Sequence, residues 1–208
     1  YVLNSAFYKP ALLSRDMQAL DLLSDGRLEI GLGTGYVREE FEAAEIPYRS
    51  AGARVDYLEH MTKYLKEHHP STPLIIAGNG DRVLTIAARN ADIIGLTGSK
   101  VRAVEDPFAE RVEFVRNAAG DRFDALELNL AITAMPRAGE TEPDLKLTRS
   151  YAPDLSDEEI LSQPSVLSGS PREIADTLCA YREKYGVSSF TVQDNNIENF
   201  SKVIAELR

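Results

Sequence analysis

A regular alternation of strand and helix signals constrains the fold of this chain more than any other feature. Six short apolar or alternating segments, each typical of a β-strand, are followed by segments with helical spacing, and no clear hairpin signal joins two strands. Such alternation predicts an α/β fold in which helices cover a parallel sheet. The six units average about 35 residues, against about 31 in an eight-unit barrel of about 250 residues. Length therefore leaves two folds open: an open doubly wound sheet, or a barrel that lacks some units.

Periodicity and helix-stop residues place the elements on the sequence. In the second strand Leu28, Ile30 and Leu32 alternate with Gly31 and Gly33, so the two glycines share the opposite face. Strands are predicted at 1–4, 27–33, 74–77, 92–96, 126–135 and 188–193. Helices are predicted at 10–23, 36–44, 51–67, 81–90, 106–119, 155–161, 171–185 and 197–207.

Composition and charge exclude several classes of protein. The 208 residues are 43% hydrophobic and 27% charged, which is ordinary for a globular domain, and we expect a single domain over 1–208. The formal net charge of −10 argues against binding to nucleic acid or to an anionic membrane. No apolar run reaches the roughly 18 residues of a membrane span. A single cysteine fits a reducing compartment, so we expect a cytoplasmic protein.

The first of two glycine turns at predicted strand ends is Gly31-Leu32-Gly33-Thr34-Gly35-Tyr36. Parallel α/β folds collect functional residues at the C-terminal ends of their strands. A dinucleotide fingerprint needs glycine at the position of Tyr36 and an acidic residue at a strand end about 20 residues further on. Position 36 is tyrosine, and the stretch 51–56 lies within or before a predicted helix, so the fingerprint is not met. Glycines on the inner face of a barrel strand would leave room for a planar ligand, and Thr34 and Gly35 would offer it backbone N–H groups. The ligand interpretation explains the glycines better, and the alternative is that Gly33 and Gly35 only make a tight turn.

The second glycine turn is Ala77-Gly78-Asn79-Gly80-Asp81, between a predicted strand and a predicted helix. Free N–H groups at the positive end of a helix suit an anion such as phosphate. Asn79 tolerates unusual backbone angles, and Asp81 is a candidate cap for the helix. A capped turn explains these residues without a ligand, but two such turns on successive strands favour the ligand interpretation.

The remaining candidates are weaker. Thr97 and Gln193 follow two other predicted strands, where each contacts a ligand or satisfies the backbone of its loop. His68-His69 has no Cys or acidic partner at metal-ligand spacing, so no metal site is expected. The chain has no nucleophile elbow, P-loop or zinc-protease motif. The residues alone therefore identify no catalytic acid, base or nucleophile.

Three parts of the sequence resemble the bacterial luciferase-like monooxygenase superfamily. The first is LDLLSDGRLEIGLGTGY at 20–36 with REEF at 38–41, and the second is PLIIAGNG at 73–80 with AAR at 87–89 and AD at 91–92. The third comprises VLSGSP at 166–171 and YGV at 185–187. The resemblance covers nearly the whole chain and is greatest to the oxidoreductases that use the deazaflavin coenzyme F420, whereas other members use FMN.

This resemblance implies a TIM-type (β/α)8 barrel with a flavin-like ring over the C-terminal ends of its strands. It implies a non-proline cis peptide bond at Tyr1–Val2. It also places Tyr36 beside the reacting ring, and we include Thr97 and Gln193 with it as substrate-side candidates. The implied cofactor contacts are Val2, Leu3, Thr34, Gly35, Ala77, Gly78, Asn79 and Gly80.

The chain departs from its relatives in two places. Relatives carry about two βα units before the position of Tyr1, where their proton-handling residues lie, and a long active-site insertion that is represented here only by 67–73. We therefore expect that the 208 residues omit segments of a longer native protein, with a second break around 135–144. An intact mass several kDa above that of the 208 residues would support this hypothesis.

The expected activity is hydride transfer between coenzyme F420 and an electrophilic C=C, C=N or C=O group of a small organic substrate. An FMN-dependent monooxygenase is one alternative, and a shortened barrel that binds flavin without catalysis is another. The resemblance also implies a homodimer. It does not identify the general acid that completes the transfer.

Overall fold

The computed structural model describes residues 1–98 and 104–207, which form an α/β fold with parallel strands, as the alternation predicts. The strands are β1 (Leu3–Asn4), β2 (Ile30–Gly33), β3 (Leu74–Ala77), β4 (Ile93–Leu96), β5 (Glu127–Ala131) and β6 (Val187–Thr191). The parallel pairs are β1 with β2, β2 with β3, β3 with β4, and β5 with β6. The helices are α1 (Pro10–Ser24), α2 (Arg38–Ala43), α3 (Ala51–His68), α4 (Asp81–Asn90), α5 (Pro107–Ala119), α6 (Lys146–Tyr151), α7 (Asp157–Leu161), α8 (Pro171–Tyr185) and α9 (Ile197–Glu206). Short 3-10 turns occupy Ser5–Phe7, Gly120–Ala125 and Asp194–Asn196.

The chain divides into two compact units. The first unit comprises Tyr1–Gly95 and Phe114–Leu126, and the second comprises Leu96–Glu113 and Glu127–Arg208. Every predicted cofactor contact lies in the first unit.

The first unit is built on β1 to β3 and on β4 as far as Gly95. Helix α3 packs on β2, and α4 packs on β3 and on α3. Leu32, Ile76, Leu58 and Leu84 are fully buried between these layers. Burial of such side chains supplies most of the free energy that holds helices on a sheet.

Strand β2 is shorter than predicted because it finds a neighbour only from Ile30 onward. Ile30 lies opposite Leu74 at the start of β3, and its N–H donates to the Pro73 carbonyl at 3.0 Å. Residues 27–29 show the alternation of a strand but pair with no neighbouring strand in the described part of the chain. The alternation itself is confirmed, since Ile30 and Leu32 are buried on the helix side.

The second unit contains the parallel pair β5–β6, with α8 packed on β6 and α9 on α8. Its longest helix starts with a capping box at Ser170. The Ser170 hydroxyl accepts from the Glu173 N–H at 3.4 Å, and the Glu173 carboxylate accepts from the Ser170 N–H at 2.8 Å. The bond from the Ser170 N–H, followed by one from the Ser170 hydroxyl to the same carboxylate at 2.7 Å, lowers the pKa of Glu173. Gly186 ends the helix with φ +76°.

Within 1–98 and 104–207, no helix combines the length and the apolar character needed to cross a membrane.

Candidate functional site

Small residues collect at the C-terminal ends of the strands in the first unit. Asn4 lies opposite Gly33 in the β1–β2 register, and Ala77 lies opposite Gly95 in the β3–β4 register. A Cβ built on Gly33 would lie 3.6 Å from the Ala77 carbonyl oxygen, and one on Gly95 would lie 2.8 Å from the Ala77 Cβ. Asn4, Gly33, Ala77 and Gly95 therefore form one line across the strand ends, which we call the strand-end row.

The first two residues of the chain lie over the glycines of this face. A Cβ on Gly31 would come 2.7 Å from Val2 Cγ1, and a Cβ on Gly33 would come 3.2 Å from Val2 Cγ2. A Cβ on Gly95 would collide with the Tyr1 hydroxyl. The expectation that Gly31 and Gly33 leave room for a ligand is therefore wrong at Gly31, because the Val2 side chain takes that room.

The cis bond implied at Tyr1–Val2 is also wrong for this structure. No peptide bond within the described residues is cis. The trans form is the ordinary state of a bond that does not precede proline. With it, Val2 packs over Gly31 and Gly33, and Leu3 pairs with Leu32.

The Gly35 turn after β2 is fixed by contacts within the protein. Gly35 has φ +66°, a conformation that favours glycine, and a Cβ there would overlap the Asn4 side-chain amide. Its carbonyl accepts a hydrogen bond from Arg54 Nε at 2.9 Å. Thr34 beside it is half-buried. This turn would need glycine even if it bound nothing.

Arg54 anchors that turn to helix α3. The side chain is only 8% exposed, donates to the Gly35 and Arg49 carbonyls, and lies 4.3 Å from the centre of the Tyr48 ring. Charge-assisted hydrogen bonds and stacking on an aromatic ring together suit arginine better than lysine. Arg54 was not predicted from the sequence, because an arginine near the start of an amphipathic helix gives no sign of what it contacts.

The turn after β3 begins with a close packing contact. A Cβ on Gly78 would lie 2.7 Å from Val83 Cγ1, so this glycine lets the turn approach α4. The Gly78 N–H donates to the Gly95 carbonyl at 3.2 Å. Asn79 has no positive φ, so the turn does not use its tolerance of unusual backbone angles.

Gly80 differs from its neighbours because no internal contact explains it. It is the N-cap of α4, so the predicted capping role of Asp81 is wrong: Asp81 is already the first helical residue. Gly80 has φ −74° and ψ 145°, close to the −68° and 162° of the serine cap Ser170. No atom lies within 4 Å of a Cβ built on Gly80. A serine there would cap the helix better than glycine, so helix capping does not explain why position 80 is glycine. The space beside Gly80 is open and available to a ligand.

The three substrate-side candidates have different surroundings. Tyr36 is 65% exposed, and its carbonyl accepts from the Tyr48 hydroxyl at 3.0 Å. Thr97 follows β4 and is half-buried in the second unit. Gln193, also in the second unit, donates from Nε2 to the Thr133 carbonyl at 3.3 Å, as the loop-backbone interpretation predicts.

Three titratable side chains of the first unit, Tyr57, His68 and His69, lie in or directly after α3. Burial raises the pKa of Tyr57, and Arg49 opposes that rise, so the Tyr57 hydroxyl stays protonated and donates to the Tyr8 carbonyl at 2.7 Å. His69 contacts the Ser14 hydroxyl at 2.7 Å, and His68 stacks on Tyr64. The described part of the chain holds no group of three or more His, Cys, Asp or Glu placed to bind a metal.

Asn4 is the second site residue that was not predicted from the sequence. Its Oδ1 accepts from the Ala6 N–H at 3.1 Å, while its Nδ2 is buried without a partner. The only signal in the sequence is a polar residue at a strand end, which a turn explains equally well.

Comparison with known proteins identifies relatives of this fold. A family model described as luciferase-like monooxygenase matches residues 2–146. No curated protein sequence matches significantly. Solved structures under 25% identical show similarity of fold alone, and the three below are of this kind.

An F420-dependent secondary alcohol dehydrogenase, in complex with an F420–acetone adduct, is 15% identical with a TM-score of 0.71, over 97% of this chain and 76% of that one. A riboflavin lyase with modified FMN and riboflavin is 17% identical with a TM-score of 0.72, and the match covers 100% of this chain and 69% of the lyase. The coenzyme F420-dependent tetrahydromethanopterin reductase of Methanopyrus kandleri is 14% identical with a TM-score of 0.69, and the match covers 100% of this chain and 82% of the reductase. The expected similarity to the TIM-barrel enzymes of this group is confirmed, and the chain is shorter than theirs.

Proposed function

Because the chain belongs to the luciferase-like monooxygenase family, we propose that it is an oxidoreductase that transfers a hydride between coenzyme F420 and a small organic substrate. Two of the similar structures are F420-dependent enzymes by their descriptions, and a third holds modified FMN. These relatives support a flavin or deazaflavin as the kind of cofactor. The preference for F420 rests on the sequence resemblance.

The observation that carries the proposal is the open space at Gly80, at the end of the strand that contributes Ala77 to the strand-end row. Neither backbone conformation nor packing requires glycine at position 80. Gly33, Ala77 and Gly95 carry almost no side chain of their own on one face of the sheet, where Val2 lies over Gly33 and the Tyr1 hydroxyl lies over Gly95. A planar ring needs open space with backbone N–H groups at its edge, and the open space at Gly80 supports placing a flavin-like ring at the end of β3.

The chain's own residues would hold the ring and orient it. Val2 and Leu3 would contact it at the end of β1, Thr34 and Gly35 at the end of β2, and the segment 77–80 at the end of β3. Asp81 places a carboxylate in the first turn of α4. That charge disfavours a phosphate close to this helix start and favours a neutral carbonyl edge.

The chemistry itself belongs to the cofactor, since a reduced deazaflavin supplies a hydride from its ring when bound. The protein's contribution would be to present one ring face to the substrate and to exclude water from the other. Exposed Tyr36 follows the Gly35 turn and is our candidate for the substrate side. Thr97 and Gln193 are the candidates from the second unit.

A fluorescence titration of the full-length encoded protein with F420, and separately with FMN, tests the proposal. Tight binding of F420 with weak binding of FMN supports it. Preference for FMN would replace it with an FMN-dependent monooxygenase, the alternative that the family description and the FMN-containing relative favour. Binding of neither would overturn it, and binding without turnover of any reducible substrate would favour a non-catalytic flavin-binding protein.

A substitution at Gly80 makes the test specific to the site. Gly80→Asn keeps a good helix cap while filling the open space, so we expect cofactor affinity to fall at least about tenfold with no loss of folding stability. Gly52→Asn is the matched control, because Gly52 is exposed in the first turn of α3. Equal affinity in the two variants would show that the ligand does not occupy the space beside Gly80.

A further inference from the structure

The first unit contains a cavity of about 220 Å³, bounded by the residues around the 3-10 turn Ser5–Phe7, by α2, by the loop between α2 and α3, and by the start of α3. Its apolar walls include Phe7, Phe41, Ile46, Pro47 and Tyr57. The Phe41 ring is fully buried and meets the Phe7 ring edge-on, with 5.1 Å between the ring centres. A cavity of about 150 Å³ already holds benzene, so an aromatic ring with a small substituent fits here.

The same cavity is lined by three cationic side chains and by no acidic residue of the described chain. The cations are Lys9, Arg49 and Arg54. Within 1–98 and 104–207, none of the three forms an ion pair with a carboxylate. Because the formal net charge of the chain is −10, this concentration of positive charge is local, and it favours an anion in the cavity.

Arg54 is the most informative of the three cations because it is buried. Only 8% of the residue is exposed, Nε donates to the Gly35 carbonyl, and Nη1 donates to the Arg49 carbonyl. These bonds use two of the several N–H donors of a guanidinium. A buried charge is ordinarily paired with an opposite charge, since burial removes it from water. The two carbonyl groups accept hydrogen bonds but leave the positive charge of Arg54 without a counter-ion.

Contacts within the protein hold the walls of the cavity in place. The Tyr57 hydroxyl donates to the Tyr8 carbonyl at 2.7 Å, which joins α3 to the segment after the 3-10 turn. The Arg54 guanidinium lies 4.3 Å from the centre of the Tyr48 ring, and that ring meets Phe41 edge-on at 5.0 Å. A site whose walls are already ordered loses less entropy when a ligand binds.

We propose that this cavity binds a small aromatic carboxylate, with its ring against the apolar walls and its carboxylate toward Arg54 and Arg49. A planar guanidinium matches the geometry of a carboxylate, and aromatic walls suit a ring. The volume is below the roughly 300 Å³ at which pockets for drug-sized ligands begin, so the ligand is a compact one. The cavity shares no residue with the strand-end row or with 77–80, so this inference does not rest on the proposed function.

Calorimetric titration of the wild-type protein with benzoate, benzamide and acetate tests the chemistry of the site. Benzamide keeps the shape of benzoate without its charge, and acetate keeps the charge without the ring. We expect benzoate to bind at least about tenfold more tightly than either. Equal affinity for benzoate and benzamide would overturn the role of the cations. Equal affinity for benzoate and acetate would indicate an adventitious ion only, and absence of benzoate binding would overturn the site itself.

Two variants locate the site within the molecule. Ala53→Leu fills the cavity without changing its charge and should lower benzoate affinity at least about tenfold. Ala11→Leu is the matched control, because Ala11 is exposed in the first turn of α1, and it should bind like the wild type. Arg49→Gln removes the charge of an exposed side chain and should weaken benzoate binding about fivefold with an unchanged unfolding temperature. Wild-type affinity in both Ala53→Leu and Arg49→Gln would overturn the proposal.

The Gly80→Asn variant separates this cavity from the proposed cofactor site. Benzoate should bind it as tightly as the wild type, because position 80 does not line the cavity. If Gly80→Asn lowered benzoate affinity as much as Ala53→Leu does, benzoate would be occupying the space beside Gly80 and the proposal would fall. Wild-type protein that binds benzoate but neither F420 nor FMN would overturn the proposed function and leave this cavity as a binding site.

Discussion

The two glycine turns of the first unit look alike in sequence and differ in what explains them. In the turn after β2, the fold itself accounts for the glycine: Gly35 has a left-handed backbone, packs against the Asn4 amide and accepts a hydrogen bond from Arg54. In the turn after β3, Gly80 has an ordinary backbone and open space where a side chain would be. A glycine that the fold itself does not need is the better indicator of a ligand.

The comparison also separates two roles within one site. The Gly35 turn is held in one conformation by its contacts with α3. At Gly80 serine would be a better helix cap than glycine, since Ser50, Ser156 and Ser170 cap other helices with similar backbone angles. Variants at the two turns should therefore affect different properties, stability at the first and ligand binding at the second.

The largest expected effect is that of Gly35→Ala. The new Cβ meets the Asn4 amide in a backbone conformation that alanine disfavours, so the free energy of unfolding should fall by about 3 kcal/mol in urea denaturation. Gly26→Ala is the control, because Gly26 has φ +71° but nothing within 4 Å, and it should cost only about 1 kcal/mol. Equal losses would mean that the Asn4 contact does not constrain the turn.

Removal of the Arg54 side chain should have the next largest effect. Arg54→Met keeps much of the apolar stem but leaves the Gly35 and Arg49 carbonyls without their donor, which should lower the free energy of unfolding by about 2 kcal/mol. Arg38→Met removes a guanidinium that lies over the same Tyr48 ring but is exposed, and should stay within about 0.5 kcal/mol of wild type. A similar loss in both would assign the effect to the ring contact instead of the turn.

Much of the fold was predictable because local signals agree with tertiary contacts. The limits of β3, α4 and α8 match the prediction residue for residue, since each combines a clear period with a clear stop. The predicted strand 126–135 ends earlier, at Ala131. Beyond it the Thr133 N–H turns to the Ser165 carbonyl, a partner that no local pattern reveals.

Helix α6 and the key site contacts were not predictable for the same reason. Helix α6 has six residues, and its Thr148 hydroxyl donates to Thr133, fifteen residues earlier in the chain. The glycines at the strand ends were visible in the sequence. Which of them is constrained by the fold depends on Asn4 and Arg54, which contact Gly35 from 31 and 19 residues away.

Gly78→Ala should have a smaller effect and separates two glycines within the second turn. Its Cβ would meet Val83 Cγ1 at 2.7 Å, but that methyl group is the end of a side chain and can shift, so we expect a loss of about 1 kcal/mol. In a double-mutant cycle, Val83→Ala should remove most of that loss. A cycle without coupling would mean that the close approach of the turn to α4 does not require Gly78.

The smallest expected effect has the opposite sign. Gly80→Ser should raise the free energy of unfolding of the ligand-free protein by about 0.5 kcal/mol, because serine fits φ −74° and ψ 145°, caps the helix and restricts the unfolded chain. The same variant should bind cofactor more weakly than the wild type and more tightly than Gly80→Asn, in the order of side-chain size. If it proved less stable than the wild type, Gly80 would be a structural glycine like Gly35, and the distinction between the two turns would be lost.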